Sequence, residues 1–416
     1  MNKKQIFTRS VITAAIALAS SQSMAAGFQL NAQSATGLGR AFAGDGVIAD
    51  NASTMAKNAA SMTLFDAPAL SLGVIAIDTD VKVKNTSLHP APEINLPVDD
   101  ASIGGTSYAP NIYYIQPIND RFAVGASLYS NFGTKTEFPE NYGKKYAGAP
   151  DAFGGLTDVK SVNLGLSAAY RVSQQLSIGG GLDVIYGSGK FERGRDMNPM
   201  HSSKNIVDID ADGVALGFNL GTIYELDQNN RFGLSYRYSP TLEAKGDMYD
   251  LRQSAAGKNI QNDKLKMPLP DMAEFSGFNK LNDKFAVHYS IQWIRWSEFD
   301  KLETTGGSVI NTYNWQDGWH YSIGGTYYLN NDWTLRAGYM HDTSAQDKKT
   351  SISVPDSDRN WLSGGFSYHL DSKSTIDFGL TYLIGEDVKA NEADGALTAT
   401  TRANAWLYGL QYSRSF

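Results

Sequence analysis

The sequence predicts an all-β fold: a transmembrane antiparallel β-barrel of about fourteen strands, with an N-terminal hatch inside it. Three observations carry that expectation. The chain opens on a secretory signal. It holds no run of ~18 apolar residues that would make a membrane helix. From about Ala67 to Phe416 it alternates apolar and polar residues with period two. A chain that crosses lipid without such helices must close into a barrel, because closure pairs every backbone group.

Composition narrows the function. Tyr (22) and Phe (18) are abundant and charged residues are only 19%, which excludes disorder. The net charge of −7 excludes a nucleic-acid partner, which needs a basic footprint. There is no Cys, so disulfides, iron–sulfur clusters and Cys-based zinc sites are excluded.

The elements follow in order. Residues 1–25 read as a signal peptide: Lys3, Lys4 and Arg9, then apolar Val11 to Ala19, then the cleavage signal Ser23-Met24-Ala25. Residues 26–66 are rich in Gly and Ala and show no strand period. A barrel of this width is too wide for its own side chains to fill, so this segment is the expected hatch. Within it Gly44 to Ala49 matches G-x-G-x-x-A, but no strand precedes it, so a dinucleotide site is not expected.

Residues 67–416 are the expected barrel. Phe285, Val287, Tyr289, Ile291 and Trp293 fall on one face of a strand, with Ala286, His288, Ser290 and Gln292 on the other. Trp406, Tyr408, Leu410, Tyr412 and Phe416 do the same in the last strand. The second faces are small and polar, which suits lipid outside and a polar lumen inside. Short turns are expected at Asn119-Asp120, Ser173-Gln174, Asp227 to Asn230, Asn282-Asp283, Asn330 to Asp332 and Asp371 to Lys373. Longer segments are expected near 84–105, 138–157, 195–205, 247–263, 343–357 and 388–397. Short turns on the periplasmic side and long loops outside are the pattern of outer-membrane barrels.

The chain also resembles a known family. Ala26-Gly27-Phe28-Gln29-Leu30-Asn31, Gly37-Leu38-Gly39-Arg40-Ala41 and Ile48-Ala49-Asp50-Asn51-Ala52 resemble the start of FadL-type long-chain fatty acid transporters of the outer membrane. The likeness continues in order through Pro117-Ile118-Asn119-Asp120, Ser130-Asn131-Phe132-Gly133, Tyr224-Glu225-Leu226-Asp227, Ile352-Ser353-Val354-Pro355-Asp356 and Ala405-Trp406-Leu407. It implies fourteen strands, a hatch that includes Phe28 and passive uptake of hydrophobic compounds. It also implies lateral release through a kink in the third strand. Where the family carries Asn-Pro-Ala in the hatch, this chain reads Asn58-Ala59-Ala60; where some members use a Lys beside the ligand carboxylate, it has Asn311.

The expected site residues follow. Arg193, in Lys190-Phe191-Glu192-Arg193, is the head-group candidate by resemblance, with Ser130, Phe132 and Asn311 beside the ligand. Asn131, Phe132 and Gly133 are the expected lateral gate, since Gly within a strand marks a bulge or kink. Arg237 and Arg336 are expected in the lumen, paired with hatch acids such as Asp45 or Asp50. Asp208, Asp210, Asp212 and Gly213 match half of a calcium loop, but the closing Glu position is Asn219, so calcium is the lesser reading. No other metal and no cofactor is expected.

His288, His320 and His369 fall on the lumen face, and neither H-E-x-x-H nor G-x-S-x-G occurs. The expected function is therefore a passive transporter, not an enzyme. The rivals are a porin-like channel for small solutes and an outer-membrane hydrolase. Expected partners are a long-chain fatty acid or similar ligand, outer-membrane lipid and lipopolysaccharide. Phe416 adds the barrel assembly machinery, and a monomer is expected.

Overall fold

The computed structural model describes residues 27–199, 202–253, 258–260 and 263–416. The expected signal peptide, His201 and parts of the segments 195–205 and 247–263 lie outside the described residues.

Fourteen antiparallel strands form one closed barrel. They are β1 (Ala69–Ala91), β2 (Thr106–Pro117), β3 (Phe122–Tyr129, resuming at Gly133–Glu137), β4 (Leu156–Arg171), β5 (Leu176–Arg193) and β6 (Val207–Glu225). Next come β7 (Asn230–Tyr238 and Thr241–Asp250), β8 (Leu265–Pro268 and Met272–Asn282), β9 (Phe285–Ile294 and Lys301–Thr304) and β10 (Val309–Thr312 and Gly318–Tyr328). The last four are β11 (Trp333–Asp342), β12 (Arg359–His369), β13 (Ser374–Gly385) and β14 (Leu397–Ser415). β1 pairs with β14 from Ala69↔Ser415 to Leu88↔Leu397, which closes the ring.

The period-two pattern sorts the side chains. Leu166, Leu182 and Leu216 stand outward at 64%, 68% and 69% exposure, far more apolar surface than a soluble protein tolerates. Two rings of aromatics border this band. Phe122, Tyr170, Tyr224, Tyr327, Trp333 and Tyr368 lie toward the short turns; Tyr108, Tyr238, Trp319, Tyr339 and Trp406 lie toward the long loops. Aromatic girdles mark the two water interfaces of a membrane barrel. The opposite positions, Ala286, His288, Ser290 and Gln292, are buried.

The interior is filled by residues 27–66. Ser34 caps helix α1 (Ala35–Gly39) by accepting from Gly37 N at 2.9 Å. Asn51 and Asn58 cap the 3-10 turns Ala52–Ala56 and Ala59–Leu64 in the same way, each at 3.0 Å. The segment bonds to strands all round the ring. Ala35 N donates to Gln411 Oε1 on β14 (3.1 Å), Ala52 N to Ser71 Oγ on β1 (3.0 Å) and Gly44 N to Ser290 Oγ on β9 (3.0 Å). Asn58 Nδ2 donates to Thr222 O on β6 (3.0 Å). Only a segment inside the ring reaches all four.

Glycine makes the approach possible. A Cβ at Gly338 would stand 2.2 Å from Arg40 O, and one at Gly379 would stand 2.3 Å from Ala35 O. Charge adds to the hold: Arg40 pairs with Asp45 (2.7 Å) and Asp50 (2.9 Å), and Arg336 on β11 reaches Asp50 at 3.2 Å.

The structure corrects several expectations. Arg237 pairs not with a hatch acid but with Asp183 on β5, because both lie on the inner faces of nearby strands. The lesser calcium reading finds no support, since Asp208, Asp210 and Asp212 lie along the extended β6. Among the described residues no group of His, Cys, Asp and Glu is placed to hold a metal. The segment 84–105 is largely strand, since β1 continues to Ala91 and Ile94–Val98 folds back on it. A further long connection, residues 295–317 between the inner parts of β9 and β10, was not among the expected ones.

Candidate functional site

The site begins at the break in β3. Tyr129 faces Asn163 on β4 and Gly133 faces Lys160, so β3 carries one residue more than its partner between the two pairs. That is a bulge, which bends a strand and re-aims its side chains. Ser161 holds it: its N–H donates to Phe132 O (3.0 Å), and its Oγ accepts from Phe132 N (3.1 Å). The freed backbone pairs with the N-terminal segment. Leu30 N donates to Asn131 O (2.6 Å) and Gly133 N to Phe28 O (2.9 Å), an antiparallel bridge centred on Gln29 and Phe132.

Phe132 and Phe28 thereby enter one aromatic cluster. Phe28 meets Trp296 edge-on at 4.6 Å, Phe299 at 5.1 Å and Phe132 at 6.3 Å; Phe299 lies 4.7 Å from Trp315 and 4.8 Å from Tyr313. Edge-to-face packing suits the ring quadrupoles. Phe28, Phe132, Phe299, Tyr313 and Trp315 line a cavity together with Phe191, Leu242, Met267, Leu269 and Val354. The space open to the centre of a water-sized sphere is about 20 Å³, so a long alkyl chain enters only by moving side chains. Met267 is suited to that, having three rotatable bonds and no branch. Buried apolar surface is worth roughly 25 cal/mol per Å², about 0.8 kcal/mol per methylene.

One margin of the cavity is polar, with Thr134, Thr157, Lys160 and Ser161. Arg193 sits beside it, half-buried, and donates to Thr157 Oγ1 (2.7 Å), Leu156 O (2.6 Å) and Glu192 O (2.9 Å). Nearby, burial pushes the Glu392 carboxyl up from its ordinary range, against the bond it accepts from Ile352 N at 2.8 Å.

The expected site residues are thus only partly assembled. Phe28 and Phe132 line the cavity. Arg193 touches it through Thr157. Ser130 is buried beside the bulge but is not on the cavity wall, and Asn311 faces solvent. Trp296, Phe299, Tyr313 and Trp315 were missed. The available signal was their density within residues 296–315, between two strands whose alternation had stopped.

The wall itself is incomplete beside the bulge. β2 and β3 pair from Pro117↔Ala123 to Ile112↔Leu128 and no further, although β2 continues back to Thr106 and β3 resumes at Gly133. Glu137 N reaches Ile103 O at 3.4 Å near the loop end. Between these two points the strands part. Gln33 spans behind the gap, accepting from Tyr113 OH at its carbonyl (2.9 Å) and donating to Asn131 Oδ1 (3.1 Å).

A closed barrel with a lipid-facing outer surface and an interior occupied by its own N-terminal segment is an outer-membrane barrel. The comparisons with known proteins agree. Residues 16–416 match the family model for outer membrane protein transport proteins (OMPP1/FadL/TodX), and the chain belongs to that family. It is 36% identical over 461 residues to the long-chain fatty acid transport protein of Escherichia coli (strain K12), covering 100% of both chains. It is 32% identical to outer membrane protein P1 of Haemophilus influenzae (strain ATCC 51907 / DSM 11121 / KW20 / Rd), over 99% of each.

Among solved structures, a Pseudomonas aeruginosa FadL homologue shares the fold with a TM-score of 0.80 at 21% identity, over 94% of this chain and 100% of that one. The Pseudomonas putida toluene transporter TodX does so with 0.63 at 17%, over 88% and 94%. The protein is therefore an outer-membrane barrel and a transport protein rather than an enzyme.

Proposed function

We propose that the protein carries long-chain fatty acids, or hydrophobic compounds of similar shape, passively across the outer membrane. Residues 26–66 act as the hatch that denies water and ions a path. The cargo is captured from the long-loop side into the aromatic cavity, with a carboxylate drawn toward Arg193. It leaves sideways through the gap between β2 and β3, at the bulge Asn131-Phe132-Gly133. The observation that carries this reading is the juxtaposition of that gap with the cavity: Phe132 lines the cavity, and its neighbours border the place where strand pairing stops.

The name of the Escherichia coli relative supports a fatty acid as cargo, and that of the Pseudomonas putida fold neighbour supports hydrophobic cargo more broadly. A porin-like channel fits less well, because residues 27–66 fill the interior. Purified protein in liposomes tests the reading. It expects fatty acid uptake with negligible ion conductance; conductance without uptake would favour the porin, and neither would reject transport of this class.

A further inference from the structure

The bridge between the N-terminal segment and β3 separates two chemistries. Its side chains divide between two spaces: Phe28 and Phe132 line the apolar cavity, whereas Gln29 and Asn131 line a second, polar cavity. That second space is also bordered by Lys57, Arg237, Glu274 and Gln292, and about 20 Å³ of it is open to the centre of a water-sized sphere. Nothing in the transport reading above uses it.

The polar cavity holds a buried cation, Lys57, which is ion-paired with Glu274 and stands 5.5 Å from the Phe42 ring centroid, yet makes a single side-chain hydrogen bond. The Lys57 side chain is 8% exposed. An ammonium has three donors. One reaches Asn31 Oδ1 at 3.3 Å, and the nearest carboxylate oxygen, Glu274 Oε2, stands at 3.6 Å, beyond hydrogen-bond distance. Glu274 is instead engaged through Oε1 with Ser276 Oγ (2.8 Å) and Ser290 Oγ (3.2 Å). On the facing wall Asn131 is 3% exposed; its Oδ1 accepts from Gln33, and its Nδ2 makes no hydrogen bond. Arg237, by contrast, is committed to Asp183 and to Ala56 O (2.8 Å). Buried donors without acceptors are costly, and an anion placed here would satisfy both Lys57 and Asn131.

We propose that this polar cavity is an inner carboxylate site for the same cargo, formed by the Lys57 ammonium and the Asn131 amide. The bridge of Phe28–Leu30 with Asn131–Gly133 is the partition that the head group crosses to reach it. The proposal rests on the reading that the cargo is a fatty acid held in the aromatic cavity. An alkyl tail gains nothing among Gln29, Lys57 and Glu274, whereas a carboxylate meets two donors there. Only the backbone of the Gln29–Phe132 bridge and its neighbours stands between the two spaces, since Phe28 and Phe132 line one and Gln29 and Asn131 the other. One amphiphile can therefore keep its tail among Phe28 and Phe132 while its head passes inward. Arg193 serves the outer end of the apolar cavity and Lys57 the inner end, next to the gap in the wall.

The experiment uses the mature protein in liposomes with two probes, oleate and oleyl alcohol, which share a tail and differ in charge. Lys57→Gln should slow oleate uptake at least ~tenfold, the loss of one charge-assisted bond. It should leave oleyl alcohol uptake within about twofold of wild type, and Lys57→Arg should restore most of the oleate rate. The double variant Lys57→Gln/Glu274→Gln removes both buried charges together and should show the same selective loss. The heat-dependent gel shift of a folded barrel verifies each variant. Unchanged oleate uptake, or equal loss for both probes in folded protein, would overturn the inner site while leaving the transport reading standing. Wild-type vesicles that take up neither probe would overturn that reading and the inner site with it.

Discussion

Arg193→Ala is the sharpest probe of how cargo is captured. The guanidinium has five N–H donors, and three are committed to Leu156 O, Glu192 O and Thr157 Oγ1. Two remain for a ligand, enough for a carboxylate to accept a pair of bonds. Removing a charge-assisted hydrogen bond costs ~1.5–3 kcal/mol, or about ten- to hundred-fold in affinity. The substitution also strips two wall carbonyls of their donor and so loosens β4 against β5. That cost, and the cost of opening a cavity with only about 20 Å³ of free space, falls equally on any ligand. The ratio between two ligands removes it. Binding of oleate and of oleyl alcohol is measured by calorimetry on the same detergent-solubilised protein. The expected result is a ten- to hundred-fold loss for oleate and little change for the alcohol. Equal loss for both would show that Arg193 only shapes the wall; no loss for either would remove it from the site.

Other perturbations address the remaining parts. Pro110 and Ser130 would face each other if the β2–β3 ladder ran two pairs beyond Ile112↔Leu128; a disulfide between cysteines there should stop uptake in vesicles until reduced, and full uptake with the bond formed would reject the lateral exit. Gly338→Val drives a side chain into Arg40 O, which a Cβ alone would meet at 2.2 Å; it should displace the N-terminal segment and raise single-channel conductance, whereas a folded variant that stays closed would show the segment is not the seal. Asp50→Asn weakens the link from Arg40 to Arg336; it should lower the urea midpoint for release of the segment, read by protease access, and an unchanged midpoint would make that link dispensable. Epitope tags near 343–357 should be labelled on intact cells and tags at Asn282-Asp283 should not; the reverse would invert the topology.

The wall of this barrel was legible in the sequence because it follows from a local rule. A strand side chain points in or out according to parity, and lipid outside with polar groups inside writes that parity directly into Phe285 to Trp293 and Trp406 to Phe416. The short turns were legible for the same reason, since Asn119, Asp227, Asn330 and Asp371 bond to the backbone two or three residues on. Gly133 marked the bulge in β3, while the family resemblance named Phe28 as part of the hatch and Arg193 as the head-group candidate.

What tertiary structure alone decided is which distant residues meet. Trp296 and Trp315 join Phe28 only because the irregular stretches 295–300 and 313–317, on either side of the paired β9 and β10 extensions, bring both rings against it. Arg237 is expected to seek a hatch acid when only charge is considered, yet Asp183 lies nearer across the inner wall once the strands are in register. Lys57 stands out only once burial places its ammonium beside a polar cavity. Alternation fixes a direction for each side chain and carries no information about what stands opposite it. That is set by the stagger of the closed ring and by the path of residues 27–66 through it, and both emerge only when the first strand meets the last.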